Sequence, residues 1–220
     1  MFHVHDEIVL ETLRHNIAHD NQDEYTIRIL LTGGISPDNI SPGDVPRLII
    51  MVQPFKSNPA TWYSDGAKVI TIELERVFTG AKSTSYLPAI VAMRRAKKQN
   101  AIEALYCTPD NHVLEGTTTN LFMFKNGTVI TPPAGVLPGI TRRIALELCE
   151  AHYPVAQHHI LLDDLYAADE VFITASNKRI VPIVQINERQ IATGQPGDQT
   201  RHIMSLFDAI TFGQTEPAMT

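Results

Sequence analysis

Residues 103–142 read EALYCTPDNHVLEGTTTNLFMFKNGTVITPPAGVLPGITR, and this pattern predicts short strands followed by a helix. Three apolar segments of strand length lie at 103–108, 121–124 and 129–131. The pair Asn126–Gly127 predicts a tight hairpin between the last two, because both residue types tolerate a positive φ. A helix is expected to begin after Gly139 and to end near residue 152.

On either side of this block, helices and strands continue to alternate. Downstream, we predict a short turn at 165–168, strands at 170–174 and 180–186, and an amphipathic helix over 200–212. Upstream, a helix is predicted over 88–99, with proline in its first turn, where proline is tolerated. The small and polar residues 79–85 precede that helix and mark the predicted domain junction.

The first 78 residues predict a helix and an antiparallel meander. The helix is expected over 6–19, and strands are expected over 25–32 and 48–53. Residues 69–77, VITIELERV, alternate in polarity, which predicts a strand with one buried face. We therefore expect two domains, a small α/β domain over 1–81 and a large domain over 82–220.

The composition is that of a globular protein and excludes wholesale disorder. The chain has 220 residues, of which 44% are hydrophobic, and its net charge of −6 argues against a nucleic-acid partner. Cys107 and Cys149 are too few for a disulfide scaffold or a four-thiolate site, and no metal is expected. We find no signal peptide and no apolar run of membrane-spanning length, so a cytoplasmic protein without a membrane partner is expected.

Four segments carry groups suited to chemistry, and each also has an ordinary structural interpretation. Lys82 lies in an uncharged linker where desolvation would favour Schiff-base formation, although a surface lysine is the commoner case. Residues 115–120 form a polar turn that either contacts a ligand or caps a strand. Residues 137–143 begin a helix whose free N–H groups suit a phosphate, as those of every helix do. Residues 174–177 end a strand in small polar donors or form a simple loop.

Taken together and in order, these segments resemble one enzyme family. The blocks are KSTSYL from Lys82, EGTTTNLF from Glu115, TPPAGVLPGITR from Thr131 and FITASNKRIVPIVQIN from Phe172. They are similar to blocks of the class IV aminotransferases, the fold-type-IV enzymes that use pyridoxal 5′-phosphate (PLP). The group contains branched-chain aminotransferases, D-amino acid aminotransferases and aminodeoxychorismate lyases. The resemblance implies their two-domain α+β fold, in which the large domain has a twisted, barrel-like sheet with helices outside.

The resemblance also implies roles for single residues. Lys82 is expected to hold PLP as an internal aldimine and to move the substrate proton. Glu115 is expected to keep the pyridine nitrogen protonated, which makes the ring an electron sink. Tyr86 matches a tyrosine that hydrogen-bonds the ring oxygen of the cofactor. The other implied cofactor-binding positions, behind the ring or around the phosphate, are Thr119, Asn120, Gly139, Ile140, Thr141 and Ser176.

For the substrate, the resemblance favours branched-chain L-amino acids with a 2-oxo acid as the second substrate. Ala175 and Asn177 match the loop that faces the substrate carboxylate, and Arg28, in YTIRILLTGG, matches an arginine bordering the pocket. D-amino acid aminotransferases carry an arginine and a histidine after this strand, and residues 33–40 contain neither. The lyase, which releases pyruvate, stays open as an alternative. A homodimer is the expected assembly.

Members of the family usually begin further upstream, so the resemblance implies that the small domain is truncated. The absent part would carry an arginine that contacts the cofactor phosphate, and Arg142, Arg143 or Arg179 could replace it. We therefore expect PLP to bind measurably but loosely. A catalytically impaired PLP-binding protein is the third functional alternative.

Overall fold

The structure of the chain, a computed structural model, describes residues 6–17 and 24–213. It divides the chain into two compact units, Met1–Ser57 and Asn58–Thr220. Within the described residues, no helix combines the length and the apolar character that crossing a membrane requires.

The described residues of the first unit form one helix and a two-stranded ribbon. Helix α1 (Asp6–Ile17) precedes strands β1 (Tyr25–Thr32) and β2 (Arg47–Pro54). The strands are antiparallel, with Tyr25 opposite Pro54 and Thr32 opposite Arg47. These elements confirm the predicted helix and the first two predicted strands. Residues 18 and 19, which the prediction included in the helix, lie outside the described residues.

The second unit contains the remaining elements. They are α2 (Thr61–Ser64), β3 (Ala67–Glu73), α3 (Leu87–Lys98), β4 (Glu103–Cys107), β5 (His112–Gly116), β6 (Asn120–Lys125), β7 (Thr128–Thr131), α4 (Ile140–His152), β8 (Val155–Gln157), β9 (Ile160–Leu161), α5 (Leu162–Tyr166), β10 (Glu170–Ala175), β11 (Arg179–Ile186), β12 (Arg189–Gln190) and α6 (Asp198–Phe212). The predicted hairpin at Asn126–Gly127 is present between β6 and β7, with φ of 49° and 75° at these two residues.

The strands of the second unit form one sheet that closes on itself. Their order is β8-β7-β6-β10-β11-β3-β4-β5-β9, and β12 lies beside β11. Strand β5 also pairs with β6, where Glu115 lies opposite Asn120. Strands β6, β10, β11, β3, β4 and β5 therefore form a closed ring, which confirms the barrel-like sheet expected for the large domain.

Both faces of this ring are covered by apolar side chains. Alternate residues of the strands, such as Leu105, Leu121 and Ile173, share one buried cluster. The opposite face of β6 and β10 packs under α4 and α6, where the rings of Phe122 and Phe172 stack with centroids 4.8 Å apart. Each such side chain contributes about 1.5–3 kcal/mol on burial, so this core fixes the positions of the strand ends.

Strand β3 differs from its prediction in both burial and partners. Val69 is buried in the cluster shared by the ring strands, whereas Ile70 and Ile72 pack under α3, so both faces are covered. β3 pairs in parallel with β4 and with β11 and is therefore not part of an antiparallel meander with β1 and β2. Consequently the units meet at residue 57 and not at the predicted residue 81, because β3 lies in the middle of the large sheet.

Smaller differences concern short elements. The residues predicted to turn at 165–168 overlap the one-turn helix α5, and the two- and three-residue strands β8, β9 and β12 were not predicted. Such strands are too short to show a periodicity of their own, since their pairing partners define them.

Candidate active site

Glu115 lies at the point where the ring of strands closes, and its side chain is only 4% exposed. Its Oε1 accepts a hydrogen bond from Arg76 Nη1 at 2.7 Å. Its Oε2 accepts from the Leu137 backbone N–H at 2.8 Å and from Asn120 Nδ2 at 3.1 Å. Both carboxylate oxygens are therefore oriented by groups on other segments.

Opposing effects act on the pKa of Glu115. The pKa of Glu115 is raised above its ordinary value, because a buried carboxylate loses the solvation of water and the opposing groups offset this only in part. The hydrogen bond from Leu137 and the positive charges of Arg76 and Lys82 act in the opposite direction. A buried carboxylate with a basic partner is a typical feature of sites that perform chemistry.

Arg76 connects Glu115 with the segment that contains Lys82. Its Nη1 binds Glu115, and its Nη2 donates to the Ala81 carbonyl oxygen at 2.8 Å. Lys82 follows directly, its side chain is exposed, and its charge lowers the pKa of Glu115. One guanidinium therefore contacts both the buried carboxylate and the backbone beside the predicted cofactor lysine.

Asn120 holds the start of β6 against the segment that leads into α4. Besides its bond to Glu115, its Nδ2 donates to the Leu137 carbonyl oxygen at 2.8 Å. Gly139 approaches so closely that a Cβ at this position would clash with Asn120 Oδ1. A glycine is therefore required here to bring the start of the helix next to the carboxylate.

Helix α4 begins without a side-chain cap. Its N-cap is Gly139, which has no side chain to accept a hydrogen bond from the first N–H groups, and Ile140 and Thr141 form the first turn. The Thr141 side chain is buried, and the Ile140 side chain is exposed. Uncapped N–H groups at the positive end of a helix dipole are suited to an anion such as a phosphate.

The turn after β10 lies beside this arrangement. Thr174 pairs with Asn120 across the sheet, and Ser176 and Asn177 follow in an exposed turn that the Lys178 N–H closes on the Ala175 carbonyl oxygen at 3.1 Å. The Oγ1 atoms of Thr119 and Thr174 are buried and have no hydrogen-bond partner among the residues that the structure describes. Buried hydroxyls of this kind are usually satisfied by water or by a ligand.

A comparison with known families gives a match over most of the chain. Residues 1–186 match the model of the family described as "Amino-transferase class IV".

The chain belongs to the class IV aminotransferase family.

Individual relatives agree with this assignment. The chain is 33% identical over 214 residues to a protein of Methanocaldococcus jannaschii provisionally named a branched-chain-amino-acid aminotransferase. The matched residues cover 93% of this chain and 72% of that protein. The crystal structure of the Escherichia coli branched-chain amino acid aminotransferase is 25% identical, with a TM-score of 0.86, over 99% of this chain and 76% of that one. A Legionella pneumophila protein provisionally named 4-amino-4-deoxychorismate lyase is 28% identical, with a TM-score of 0.82, over 94% of this chain and 78% of that one.

Class IV aminotransferases use PLP, and the residues described above fit this cofactor. Glu115 offers a buried, positively compensated carboxylate for a pyridine nitrogen. The uncapped start of α4 offers N–H groups for a phosphate. Lys82 offers an exposed amine directly after Ala81, whose carbonyl oxygen accepts a hydrogen bond from Arg76. The buried Thr119 and Thr174 hydroxyls offer further donors beside them.

The other predicted site residues are placed as follows. Tyr86 is the N-cap residue of α3 and is 45% exposed. Ala175 is the last residue of β10, and Asn177 lies in the turn between β10 and β11, next to Ser176. Arg28 lies on β1 of the first unit, opposite Met51. The roles assigned to these residues stay predictions.

Two of the three arginines suggested as phosphate partners have other contacts. Arg142 Nη2 donates to the Pro132 carbonyl oxygen at 2.9 Å. Arg179 pairs with Asp208 at 3.1 Å, and its guanidinium lies over the Tyr63 ring at 4.5 Å from the centroid. The Arg143 side chain is exposed.

Residues that the sequence did not single out also contribute to the site. Arg76 was missed because one arginine after a strand carries no local signal of its distant partner Glu115. The same holds for Glu103 and Lys178, which meet only after the sheet has closed. A charged residue in an otherwise apolar strand, as Glu103 is in EALYC, is the one signal that could have identified this pair.

Proposed function

We propose that this chain transfers amino groups between branched-chain L-amino acids and a 2-oxo acid, with PLP held by Lys82. The observation that carries the proposal is the link from buried Glu115 through Arg76 to the backbone beside Lys82. It supports an arrangement in which an amine and a compensated carboxylate act on the same cofactor. The names of the relatives support the substrate class.

The residues would divide the work as follows. When bound, PLP supplies an electron sink for the bonds at the substrate Cα. Lys82 would hold the cofactor through its side-chain amine, and the free amine would move the proton at the substrate Cα. Glu115 would keep the ring nitrogen protonated, Tyr86 would contact the ring oxygen, and Thr119 and Asn120 would hold the ring. Gly139, Ile140, Thr141 and Ser176 would hold the phosphate, and Ala175 and Asn177 would contact the substrate. The family resemblance predicts a substrate contact for Arg28 as well.

A direct test starts with the purified chain and added PLP. We expect visible absorbance that borohydride makes permanent by fixing the cofactor to a lysine, and turnover of leucine with 2-oxoglutarate. Lys82→Ala should abolish both the fixed cofactor and the turnover while the protein stays folded. Fixation that persists in this variant would assign the chemistry to another lysine, and replacing Lys97, Lys98 or Lys178 by Ala in the same background would test which one.

Aminodeoxychorismate lyase is the second candidate, supported by the likeness to the Legionella protein. It needs the same lysine and carboxylate but releases pyruvate, so a pyruvate assay with aminodeoxychorismate separates the two activities. A chain that takes up PLP and turns over neither substrate would be the catalytically impaired binding protein.

We further propose a cytoplasmic homodimer. The cytoplasmic assignment is supported by two buried free thiols, which are compatible with a reducing compartment. The dimer is supported by an exposed apolar face on α3, where Leu87, Ile90 and Val91 are 72%, 48% and 42% exposed. Sedimentation should give the mass of two chains, and Ile90→Asp should shift it towards one.

A further inference from the structure

A second carboxylate is buried beside the turn that links β5 to β6. Glu103, on β4, has no exposed surface. Its Oε1 accepts hydrogen bonds from the Ala104 N–H at 3.0 Å, from the Thr117 N–H at 3.1 Å and from the Thr117 hydroxyl. Its Oε2 accepts from the Thr118 hydroxyl at 2.9 Å. The Glu103 carboxylate therefore binds turn 116–119 through a backbone N–H and through two side-chain hydroxyls of the turn.

Lys178 reaches the same turn from the other side. Its Nζ donates to Thr118 Oγ1 at 2.8 Å and lies 3.5 Å from Glu103 Oε2, and its side chain is 11% exposed. The backbone at Lys178 is also hydrogen-bonded, since the Lys178 carbonyl oxygen accepts a hydrogen bond from the Tyr63 hydroxyl at 3.1 Å. The Asn177 carbonyl oxygen accepts from Asn58 Nδ2 at 2.7 Å. Lys178 therefore joins turn 175–178 to turn 116–119.

A buried ion pair of this kind is not explained by stability alone. Removing two charges from water costs free energy that their attraction often fails to recover, and apolar replacements can be as stable. By contrast, the pair Lys68–Glu188 in the same unit has an 81% exposed carboxylate and avoids most of this cost. The cost at Glu103 and Lys178 indicates a role in fixing geometry.

We propose that Lys178 is a positioning residue that, together with Glu103 and Thr118, holds the two turns in the register needed for cofactor binding. This inference rests on the proposed function. Turn 116–119 contains Thr119 and is followed by Asn120, and turn 175–178 contains Ser176. Both turns therefore position residues assigned to the cofactor. Lys178 itself acts through these residues and through Thr118.

The first test uses the cofactor-free full chain and therefore does not depend on PLP. Lys178→Met keeps an unbranched side chain that is one atom shorter and removes the charge and the donors. We expect amide hydrogen exchange to become about tenfold faster in residues 116–119 and in residues 175–178 together, and to be unchanged in α4 and α6. Lys178→Arg should restore slow exchange, and Lys68→Met, the surface control, should have no effect. Unchanged exchange in either turn of Lys178→Met would overturn the coupling.

The second test measures the cofactor. In Lys178→Met the Kd for PLP should rise about tenfold, whereas kcat at saturating PLP should change much less, because Lys178 does not react. Lys178→Arg should bind PLP nearly as the natural chain does. An unchanged Kd in Lys178→Met would overturn the role in cofactor binding. A natural chain that binds no PLP would refute the proposed function, and the exchange experiment would still decide whether the two turns are coupled.

The pair also predicts a coupling between two substitutions. Lys178→Met alone leaves Glu103 as a buried, unpaired charge, whereas Glu103→Gln with Lys178→Met leaves none. We expect the double variant to regain stability relative to Lys178→Met but to keep the fast exchange and the weak PLP binding. If Lys178→Met does not fold, the double variant carries both tests. A double variant with slow exchange and tight PLP binding would overturn the proposal.

Discussion

At the scale of single residues, the environment of Glu115 determines what this carboxylate can do. Burial alone would favour the neutral acid, which could not keep a pyridine nitrogen protonated. The Leu137 N–H at 2.8 Å and Arg76 at 2.7 Å oppose the effect of burial on the pKa. Each carboxylate oxygen accepts a hydrogen bond from one of them. The charged form of Glu115 is therefore favoured by the Leu137 N–H and by Arg76, a residue outside every recognisable motif.

Replacing Glu115 with Gln tests the role of the charge with little change in shape. We expect PLP to remain bound and kcat to fall by roughly 10²–10³, the loss typical when a preorganised electrostatic contact to a reacting system is removed. Steady-state kinetics and equilibrium dialysis with PLP separate the two effects. Glu188→Gln, which removes the surface partner of Lys68, is the matched control and should change neither. A Glu115→Gln enzyme with natural kcat would remove the electron-sink role.

Replacing Arg76 with Met should move the acid side of the pH profile. Arg76 lowers the pKa of Glu115, so its loss raises that pKa and the carboxylate becomes protonated at a higher pH. The decline of kcat/KM on acidification should therefore begin about one to three pH units higher, the range over which a neighbouring opposite charge shifts a carboxyl pKa. Arg189→Met, at a surface arginine over the Tyr166 ring, should leave the profile unchanged. An unmoved acid limb would show that Arg76 does not control the protonation of Glu115.

At the scale of elements, turn 116–119 shows why a glycine lies in the motif that begins at Glu115. A Cβ on Gly116 would collide with Thr119 Oγ1 and would lie 2.9 Å from Glu103 Cγ. The glycine therefore lets the turn approach the buried carboxylate of β4 closely enough for the hydrogen bonds from Thr117 and Thr118.

Gly116→Ala should therefore destabilise the protein by about 1–3 kcal/mol, the usual cost of overpacking. Gly80→Ala is a matched control, because a Cβ on Gly80 meets nothing within 4 Å and its φ lies outside the left-handed region. Denaturant unfolding of both variants measures the difference. Equal free energies of unfolding would show that the turn relaxes without cost, and the close approach would then have no structural significance.

Elements were predictable from the sequence where their periodicity is local. Strand β1 has its predicted bounds, and α3 and α4 begin and end within one residue of theirs, because apolar spacing and the residues at their ends define them. The motif residues on β5, β6 and α4 were likewise identified in advance. The contacts of Glu115 with Arg76 and of Glu103 with Lys178 were not, since they join segments 39 and 75 residues apart.

At the scale of the whole molecule, the closed ring explains why the unit boundary lies earlier than predicted. Strand β3 reads as a half-polar strand, which suggested a place in an exposed antiparallel sheet. In the structure it lies between β11 and β4, and it contributes Val69 to one core and Ile70 and Ile72 to another. Its partners are supplied by residues more than 30 and more than 100 positions later in the chain, so local periodicity carried no information about them.

This difference can be tested with two fragments of the chain. Fragment 58–220 retains the complete ring and every residue assigned to the cofactor, so it should fold and bind PLP with a Kd within about threefold of the full chain. It lacks Arg28, the predicted substrate contact, so the KM for leucine should rise while PLP binding persists.

Fragment 82–220 corresponds to the predicted boundary but lacks β3, which opens the ring and leaves the edges of β11 and β4 unpaired. It should be unfolded or aggregated, because unpaired strand edges and an uncovered core promote association. Circular dichroism and sedimentation of both fragments decide between a boundary after residue 57 and one after residue 81. A folded, monodisperse fragment 82–220 would place the boundary after β3.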